Sequence, residues 1–521
     1  MIDWNRAMKI SAATAWAMFG AMVFGNFMAI LDIQIVASSI NEIQAGLGAS
    51  QSEVAWVQTI YLIAEVIAIP LSALLSNLLS TRIYFTISAL GFSIASLMCG
   101  FAWNLESMLV FRAFQGFLGG GMIPTTMAAL FVLFPREKQA LPMVVVGMVS
   151  TLGPAIGPTL GGWLTTHFSW HWMFFINILP GLMIASLVYS AQDLDKADPS
   201  LFSKIDWLGL GSMAVFLGGL EFVLDEGPRN DWFSDHAILY TAIACVISAI
   251  IFFYRCLTVK QPIIDLTVFR NRNFSLSAMM TFVLGMALYG MVYIVPVFLG
   301  QVRGMNSSQI GHIMLVMGVT MFLFAPFVGT VMSKFDSRKV IFMGLSIAAL
   351  GVALNANLTT QSDFGEFFWP QVLRGIGMMM GLIIMSQLAM STLPLSKIKS
   401  ASGVYNLTRN IGGAIGLALI NTIIDQRMAV HVTGLSRYLT PSRPEVVDYL
   451  AQTTAKYQAI VGDQADQLAI ELLNRQMHLQ ALTLSFNDIL KMLAALMFAT
   501  AFIVFLVKKP SNAPIDNMPV H

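Results

Sequence analysis

The chain contains the run Gly153-Pro154-Ala155-Ile156-Gly157-Pro158-Thr159-Leu160-Gly161-Gly162, inside an apolar segment from residue 140 to residue 165. Glycine recurs at every fourth position, which gives a helix a smooth face for close contact with a neighbour. The prolines lack a backbone donor and bend a helix. About 20 apolar residues suffice to cross a bilayer. The run therefore predicts a bent transmembrane helix that packs closely against another helix.

The composition of the whole chain points the same way. Of 521 residues, 56% are hydrophobic and 11% are charged, whereas soluble domains carry about 25% charged residues. This excludes a water-soluble protein, and also a disordered one, because disordered chains are rich in charge and poor in apolar residues. The net charge of +1 gives no general attraction to nucleic acid.

Fourteen segments are long and apolar enough to span a membrane, and they are too long and too uniformly apolar for the alternating strands of a β-barrel. They lie near residues 14–37, 52–75, 83–103, 106–130, 140–165, 172–190, 206–224, 237–256, 275–299, 310–333, 339–357, 368–393, 403–425 and 487–507. We predict an all-α integral membrane protein with fourteen transmembrane helices.

Loop charges predict the orientation. With the N-terminus inside, the inner segments carry most of the Lys and Arg, and the short outer loops carry only Arg229 and Arg303. Positive charge concentrates on the cytoplasmic side of membrane proteins. An even number of spans returns the chain to that side, where Lys508 and Lys509 follow the last span. We therefore expect both termini in the cytoplasm.

Small residues repeat at a nearly constant distance. Gly116 precedes Gly375 by 259 residues, and Gly157 precedes Gly416 by the same distance. Internal repeats of this kind build secondary transporters, with the substrate site between the halves. The predicted organisation is two six-helix bundles separated by an inserted helix pair. The first bundle is predicted at 1–190, the inserted pair at 206–256, and the second bundle at 275–507, with an outer loop at 428–486. A cytoplasmic tail follows at 508–521.

The glycine-proline run resembles the antiporter motif GxxxGPxxGG of the major facilitator superfamily, in its fourteen-span drug:proton antiporters of the EmrB/QacA type. The motif residues are Gly153, Pro154, Gly157, Pro158, Gly161 and Gly162. Similar family patterns occur in span 1 (Leu31 to Val36), span 4 (Arg112 to Gly116), span 6 (Trp170 to Pro180) and span 13 (Asn406 to Gly416). The resemblance covers almost the full length. It implies proton-coupled efflux of lipophilic or amphipathic compounds by alternating access, without a cofactor.

One family motif is incomplete. The first cytoplasmic signature GxLaDRxGrr falls on residues 73–82, where its glycine, its acid and its first arginine are missing. The second-half copy is better kept. It comprises Gly329, Lys334, Asp336, Arg338 and Lys339. In the family this loop is thought to latch the halves, so we predict a latch at the second-half residues and doubt the one in the first half.

Charged residues inside a bilayer are costly and usually functional. Asp32 lies about five residues from the outer end of span 1, and Arg112 lies about six residues from the outer end of span 4. Because a helix rises about 1.5 Å per residue, the two side chains are expected at similar depth in the membrane. If they pair, proton binding by Asp32 depends on whether the contact survives a conformational change, which is what proton coupling requires. The alternative is a static ion pair.

Glu65 near the middle of span 2 is the second proton-coupling candidate. It is predicted to carry a proton or to bind cationic drugs, or else to be a hydrogen-bonded structural acid. Shifting Asp32 by 259 residues gives Met291, and shifting Glu65 by 256 to 259 gives residues 321–324, so the second half has no equivalent acid. Proton traffic is therefore predicted in the first bundle.

The remaining predictions concern the cavity and the helix contacts. Gln115, Arg374, Asn406 and Arg409 are candidate cavity residues, with snorkelling towards the cytoplasm as the alternative for Arg409. Glu221 is expected to have no role there, because the inserted pair is expected to be peripheral. The span-5 glycines are expected to seal against Gly412 and Gly416 of span 13.

The loop 428–486 is expected to contain helix and to be either a solvated cap or a docking surface. The resemblance implies a location in a bacterial inner membrane, with a periplasmic adaptor and an outer-membrane channel as partners. Alternatives to efflux are a proton-coupled uptake symporter, a non-transporting sensor or scaffold, and a membrane enzyme. For an enzyme, the nearest sign is the weak pair His167 and His171.

Overall fold

The computed structural model describes residues 11–135 and 138–508, without the side chains of a few residues such as Pro154. Arg136, Lys509 and the predicted tail beyond residue 508 lie outside the described residues. The described part is built from helices that match the predicted spans one for one, which confirms the all-α fold class. They are α1 Ala12–Ser38, α2 Trp56–Leu79, α3 Thr81–Gly100, α4 Leu105–Leu133, α5 Ala140–His167, α6 Trp172–Ser190, α7 Trp207–Glu226, α8 His236–Thr258, α9 Arg272–Gln301, α10 Ser307–Lys334, α11 Ser337–Leu354, α12 Phe364–Ser391, α13 Ile398–Ser436 and α14 Ala465–Ile503.

Thirteen helical stretches in the described residues are long and apolar enough to cross a membrane by length and composition. They contain every helix of the set except α5, the 28-residue helix that holds the glycine-proline run. Below, the terminal side is the face of the bundle on which α1 begins and α14 ends, and the cap side is the opposite face.

The same helix pairs pack together in the two halves of the chain. In the first half α1 packs on α5 and α2 on α4, and in the second half α9 packs on α13 and α10 on α12. Further matching pairs are α3 with α6 and α11 with α14. This correspondence confirms the two six-helix bundles, while the exact domain boundaries stay a prediction.

The glycine face of α5 does not meet α13, so the predicted seal is wrong. A Cβ atom on Gly157 would lie 2.4 Å from the Cβ of Gln34 in α1. A Cβ on Gly416 would lie 2.8 Å from the Cα of Met286 in α9. Both glycine faces therefore hold the first and fifth helices of their own bundle together. Sequence spacing identified a close contact correctly but could not identify the partner helix.

These contacts also correct the alignment of the halves. Gln34 and Met286 are 252 residues apart, whereas Gly157 and Gly416 are 259 apart. On the first helix of each half the equivalent of Asp32 is therefore Leu284 and not Met291. Leu284 is apolar and buried, so the inference that the second half lacks this acid remains.

The bundles meet along two sides. Along one side α5 packs on α10, where a Cβ on Gly311 would lie 2.0 Å from Oγ1 of Thr159. Elsewhere α13 packs on α2 and α4, and the hydroxyl of Ser402 donates to the carbonyl of Pro124 at 2.9 Å.

Helix α7 of the inserted pair is not peripheral, contrary to expectation, whereas α8 packs mainly on α7. Helix α7 packs on α2 of the first bundle and also on α13 of the second. Trp232, which follows α7, donates from its indole Nε1 to Oγ1 of Thr422 in α13 at 3.1 Å. At the other end of α7, Arg255 of α8 donates to Asp206 at 2.7 Å, and these hydrogen bonds lower the pKa of Asp206. Helix α7 thus spans the junction between the bundles.

Beyond the predicted end of span 13, α13 continues to Ser436 and α14 begins at Ala465. Between them the cap helix, Pro444–Val461, packs on α14 and buries none of its residues. Each 39-residue helix is about 58 Å long, well beyond the roughly 30 Å of a hydrocarbon core. The expected helix in segment 428–486 is confirmed.

Replacing Gly157 with Leu is expected to force α1 and α5 apart, because Gln34 occupies the space of the new side chain. Overpacking of this kind costs about 1–3 kcal/mol, so thermal unfolding in detergent should begin at a lower temperature and transport should fall. Gly20→Leu on α1 is the control, since a Cβ atom on Gly20 would have open space within 4 Å. Equal stability of the two variants would contradict the packing role.

Candidate functional site

The predicted contact between Asp32 and Arg112 is present. Nη1 of Arg112 lies 2.6 Å from Oδ2 of Asp32, and both side chains have no exposed surface. The pair joins α1 to α4 in the interior of the first bundle. Because the two charges are fully desolvated, removing one partner would leave an uncompensated buried charge.

Two amides complete the surroundings of the Asp32 carboxylate. Nε2 of Gln115 donates to Oδ1 at 3.0 Å, and Nδ2 of Asn177 donates to the same oxygen at 2.8 Å. Both amides also donate to Oγ of Ser96, at 3.1 Å and 3.0 Å. The network therefore links α1, α3, α4 and α6 through the Asp32 carboxylate.

The guanidinium of Arg112 has further partners in α2. Its Nε donates to the carbonyl of Val57 at 3.1 Å, and its Cζ lies 4.2 Å from the ring centroid of Tyr61. Nη2 is buried without a hydrogen-bond partner in the described part of the chain. The arginine is thus held by a backbone carbonyl, an aromatic face, Asp32 and Oε1 of Gln115, which accepts from Nη1 at 2.8 Å.

Asn177, Ser96 and Tyr61 were not predicted as members of the site. Asn177 stands in the span-6 stretch that carries the family resemblance, and its polar side chain between apolar neighbours was the available signal. Ser96 and Tyr61 lie in apolar segments without a distinguishing pattern. Only the packing of the helices shows that they face Asp32 and Arg112.

A central cavity lies between the bundles, and charged residues from three separate parts of the fold line it. Glu65 comes from α2 and Arg409 from α13. Glu65 is 4% exposed and makes no hydrogen bond or ion pair within residues 11–135 and 138–508. Most other lining residues are apolar, and the polar ones include Gln34, Tyr289 and Asn410.

The third charged group of the cavity is Glu221 on α7. This contradicts the expectation that the inserted pair stays away from the cavity. Arg409 is also too far from the end of its helix to snorkel. Helix α13 begins at Ile398, eleven residues before Arg409, whereas a snorkelling side chain lies near a helix end. Its side chain receives its orientation from Asn406, whose Oδ1 accepts from Nη2 of Arg409 at 2.9 Å.

Three predicted cavity residues do not line the cavity in this conformation. Gln115 belongs to the Asp32 network, and Asn406 lies behind Arg409. Arg374 is fully buried in the second bundle, where Nη1 donates to Oε1 of Gln371 at 2.8 Å. Gln371 and Arg374 stand 259 residues after Arg112 and Gln115 with the two side chain types exchanged. Their roles in transport remain predictions.

The incomplete first-half motif forms a cross-bundle contact through a substitute acid. Lys399 at the start of α13 forms an ion pair with Asp195, and its Nζ donates to Oδ1 of Asn77 at 2.9 Å. Asn77 occupies the position of the missing motif acid. The carboxylate of Asp195 also accepts from the backbone N–H of Thr81 at 2.8 Å. The segment after α6 thus supplies the negative charge that the motif lacks.

The predicted second-half latch residues have mostly local contacts. Arg338 pairs with Asp336 at 3.0 Å and donates to the carbonyl of Val507 within its own bundle. Lys334 is exposed. Gly329 faces α5, since a Cβ there would lie 3.9 Å from Cγ2 of Val144. A latch function of these residues remains a prediction.

Comparison with known proteins identifies the family. A model of the Major Facilitator Superfamily matches residues 22–417. The chain belongs to the Major Facilitator Superfamily. Members of this superfamily are transporters, so the prediction of a secondary transporter rather than a membrane enzyme is confirmed. In the described residues no group of three or more His, Cys, Asp or Glu side chains is placed to hold a metal ion.

Similar proteins place the chain among EmrB-type members of the superfamily. It is 58% identical to the colistin resistance protein EmrB of Acinetobacter baumannii over 501 residues, which cover 96% of this chain and 98% of that protein. It is 28% identical to the fatty acid resistance protein FarB of Neisseria gonorrhoeae, with 96% and 97% covered. It is also 28% identical to the multidrug export protein EmrB of Escherichia coli K12, with 95% of each chain covered.

Solved structures support the superfamily fold. The human organic anion transporter MFSD10 aligns with a TM-score of 0.58 at 11% identity over 93% of this chain and 99% of that chain. A bacterial homologue of the lysosomal transporter Spinster, inward-facing and unoccupied, aligns with a TM-score of 0.53 at 15% identity over 97% and 100%.

Replacing Lys399 with Met is expected to weaken closure on the terminal side, because Asp195 and Asn77 lose their partner in the other bundle. In a cysteine-free background, a thiol reagent should then label Ser402→Cys several-fold faster, since Ser402 is fully buried beneath this contact. The control is Lys397→Met, whose lysine pairs with Asp265 in the segment between α8 and α9. Unchanged labelling in Lys399→Met would contradict the closing role.

Proposed function

We propose that this transporter exports lipophilic or amphipathic compounds in exchange for protons, by alternating access of the central cavity to the two sides of the membrane. The relatives named above are resistance and multidrug export proteins, and the antiporter motif favours exchange over uptake. Its energy source is the proton gradient.

The observation that carries the proposal is that two buried acids of the first bundle have different surroundings. Asp32 is enclosed by Arg112 and two amides inside the first bundle, whereas Glu65 faces the cavity without a partner in the described structure. The second bundle has Leu284 and Met321 at the matching positions. Proton uptake is thus assigned to the first bundle, and both bundles contribute cavity walls.

Protonation of Asp32 would alter the contacts between four helices. A neutral carboxyl group loses its ion pair with Arg112 and can no longer accept from every surrounding donor. Arg112 and Gly116 both lie on α4, and Gly116 packs on the backbone of Tyr61 in α2. A shift of α4 at Arg112 therefore moves α2, which also carries Glu65. A change of charge at Asp32 can therefore reach the cavity through adjoining helix contacts.

We further propose that the terminal side is cytoplasmic in an inner membrane. On that side the described loops and helix ends carry several basic residues, among them Arg82, Lys138 and Lys204, which agrees with the positive-inside rule. The Lys399–Asp195 contact then closes the cytoplasmic side of the cavity.

The cap side is proposed as the docking surface for a periplasmic adaptor that leads to an outer-membrane channel. The cap helix and the extended ends of α13 and α14 enclose a groove that contains Val447, Leu450 and Ile470. Val447 is 48% exposed and Ile470 is 58% exposed. Apolar side chains in a solvated groove favour a docked helix over a purely solvated cap.

Neutralising the two acids tests proton coupling. In liposomes with an imposed pH difference, Asp32→Asn and Glu65→Gln should each slow proton-driven export of a fluorescent cationic dye by about tenfold or more. Asp32→Asn should retain energy-independent exchange of dye, because Asp32 itself does not line the cavity. The exposed Asp198→Asn is the control, since this carboxylate accepts only local bonds from Ser200 in the described structure.

The outcomes separate the alternatives. Dye uptake in the direction of the proton gradient would indicate a symporter, and no transport by the wild-type chain would indicate a sensor or scaffold. Proton-driven export at the wild-type rate in both variants would refute the assigned acids.

Replacing Ile470 with Asp tests the cap surface. Transport in liposomes should be unchanged, because the groove lies away from the central cavity. Export from intact cells into the medium should fall, because a charge in the groove opposes an apolar contact. Ile460→Asp is the control, since Ile460 is 75% exposed and does not line the groove. Equal export by the two variants would refute this docking site.

A further inference from the structure

Helix α7 belongs to neither bundle, yet it brings a carboxylate into the central cavity. Glu221 and Glu65 line the same space. One turn further along α7, Asp225 accepts a hydrogen bond from the hydroxyl of Thr59 in α2. This bond holds α7 in register with α2, the helix that carries Glu65. The position of Glu221 is therefore set by a specific polar contact.

The charges around the cavity do not balance. The two glutamates face it together with a single cation, Arg409, which has its hydrogen bond to Asn406. In the described structure neither glutamate forms a hydrogen bond or an ion pair with Arg409 or with any other residue. Unpaired charge within a membrane protein is costly. The cavity is thus suited to neutralisation by protons or by a positively charged ligand.

The walls are suited to the apolar part of such a ligand. Leu62 and Val66 lie on one side, and Leu288 and Val292 lie on the other. Tyr289 adds an aromatic ring to the lining, and aromatic faces attract organic cations. Apolar walls around a few polar groups are typical of small-molecule sites.

We propose that Glu221 is a substrate-binding residue and that, together with Glu65, it receives the cationic group of an amphipathic substrate. Helix α7 of the inserted pair is then part of the binding site and not only a linker. This inference rests on the proposed transport function and adds a substrate class to it, lipophilic cations. Glu65 exchanges protons and substrate, and Glu221 adds selectivity for positive charge.

Binding to the purified full-length protein tests the role of Glu221 directly. Tetraphenylphosphonium, a lipophilic cation, should bind to Glu221→Gln with a Kd about tenfold higher than to the wild type. Glu221→Asp keeps the charge and should bind within about threefold of the wild type. Deoxycholate, an amphipathic anion, should bind to Glu221→Gln at least as well as to the wild type.

Glu226→Gln is the matched control, because Glu226 lies on the same helix but pairs with Arg229 at 2.8 Å and does not line the cavity. It should bind the cation like the wild type. A Glu221→Gln variant that binds the cation with unchanged Kd would overturn the inference, and so would an equal loss of cation and anion binding.

Transport separates this inference from the proposed function. If wild-type protein binds the cation through Glu221 but a pH difference drives no export, the proposed function fails and the binding role stands. If export is proton-driven and Glu221→Gln exports the cation with unchanged KM, the binding role fails alone. Should Glu221→Gln not fold, Glu221→Ala takes its place: tenfold weaker cation binding with unchanged anion binding would support the role, and wild-type binding of both ligands would contradict it.

Discussion

The fully buried ion pair between Asp32 and Arg112 is the interaction on which the first bundle depends. Two charges without exposed surface are tolerable in a membrane because amide groups, a backbone carbonyl and an aromatic ring surround them. These partners come from several different helices. The pair therefore fixes how the helices of the bundle are arranged, and any change in its charge affects all of them.

The second bundle repeats the packing but not the chemistry. Its helices pair as in the first bundle, and its glycines contact the equivalent neighbour. Arg374 is buried there with Gln371, and an apolar leucine stands where the first bundle has its aspartate. The difference explains how a symmetric scaffold can bind protons asymmetrically. Helix α7 adds a further asymmetry, because it contributes Glu221 to the cavity from outside both bundles.

Much of this arrangement could be predicted from the sequence. The length of the apolar segments predicted the transmembrane helices, and the depth of Asp32 and Arg112 along their spans predicted their contact. The predictions that failed concern which helices meet. The spacing of Gly157 shows that a helix face is smooth but not that α1 covers it. Nothing in the sequence of the inserted pair indicates which helices it contacts, so the location of Glu221 is known only from the packing of the helices. A constant offset between the halves also failed, because connecting segments differ in length.

The central claim is that substrate binding displaces protons from the buried acids of the first bundle, from Glu65 in the cavity directly and from Asp32 through the contacts between helices. It is tested most directly by measuring the pH of a weakly buffered solution of the purified protein while a lipophilic cation is added. The account predicts that binding releases protons from the wild-type protein, and that the Asp32→Asn, Glu65→Gln double variant releases almost none. Cation binding to the wild type without proton release, or equal release by the double variant, would contradict it.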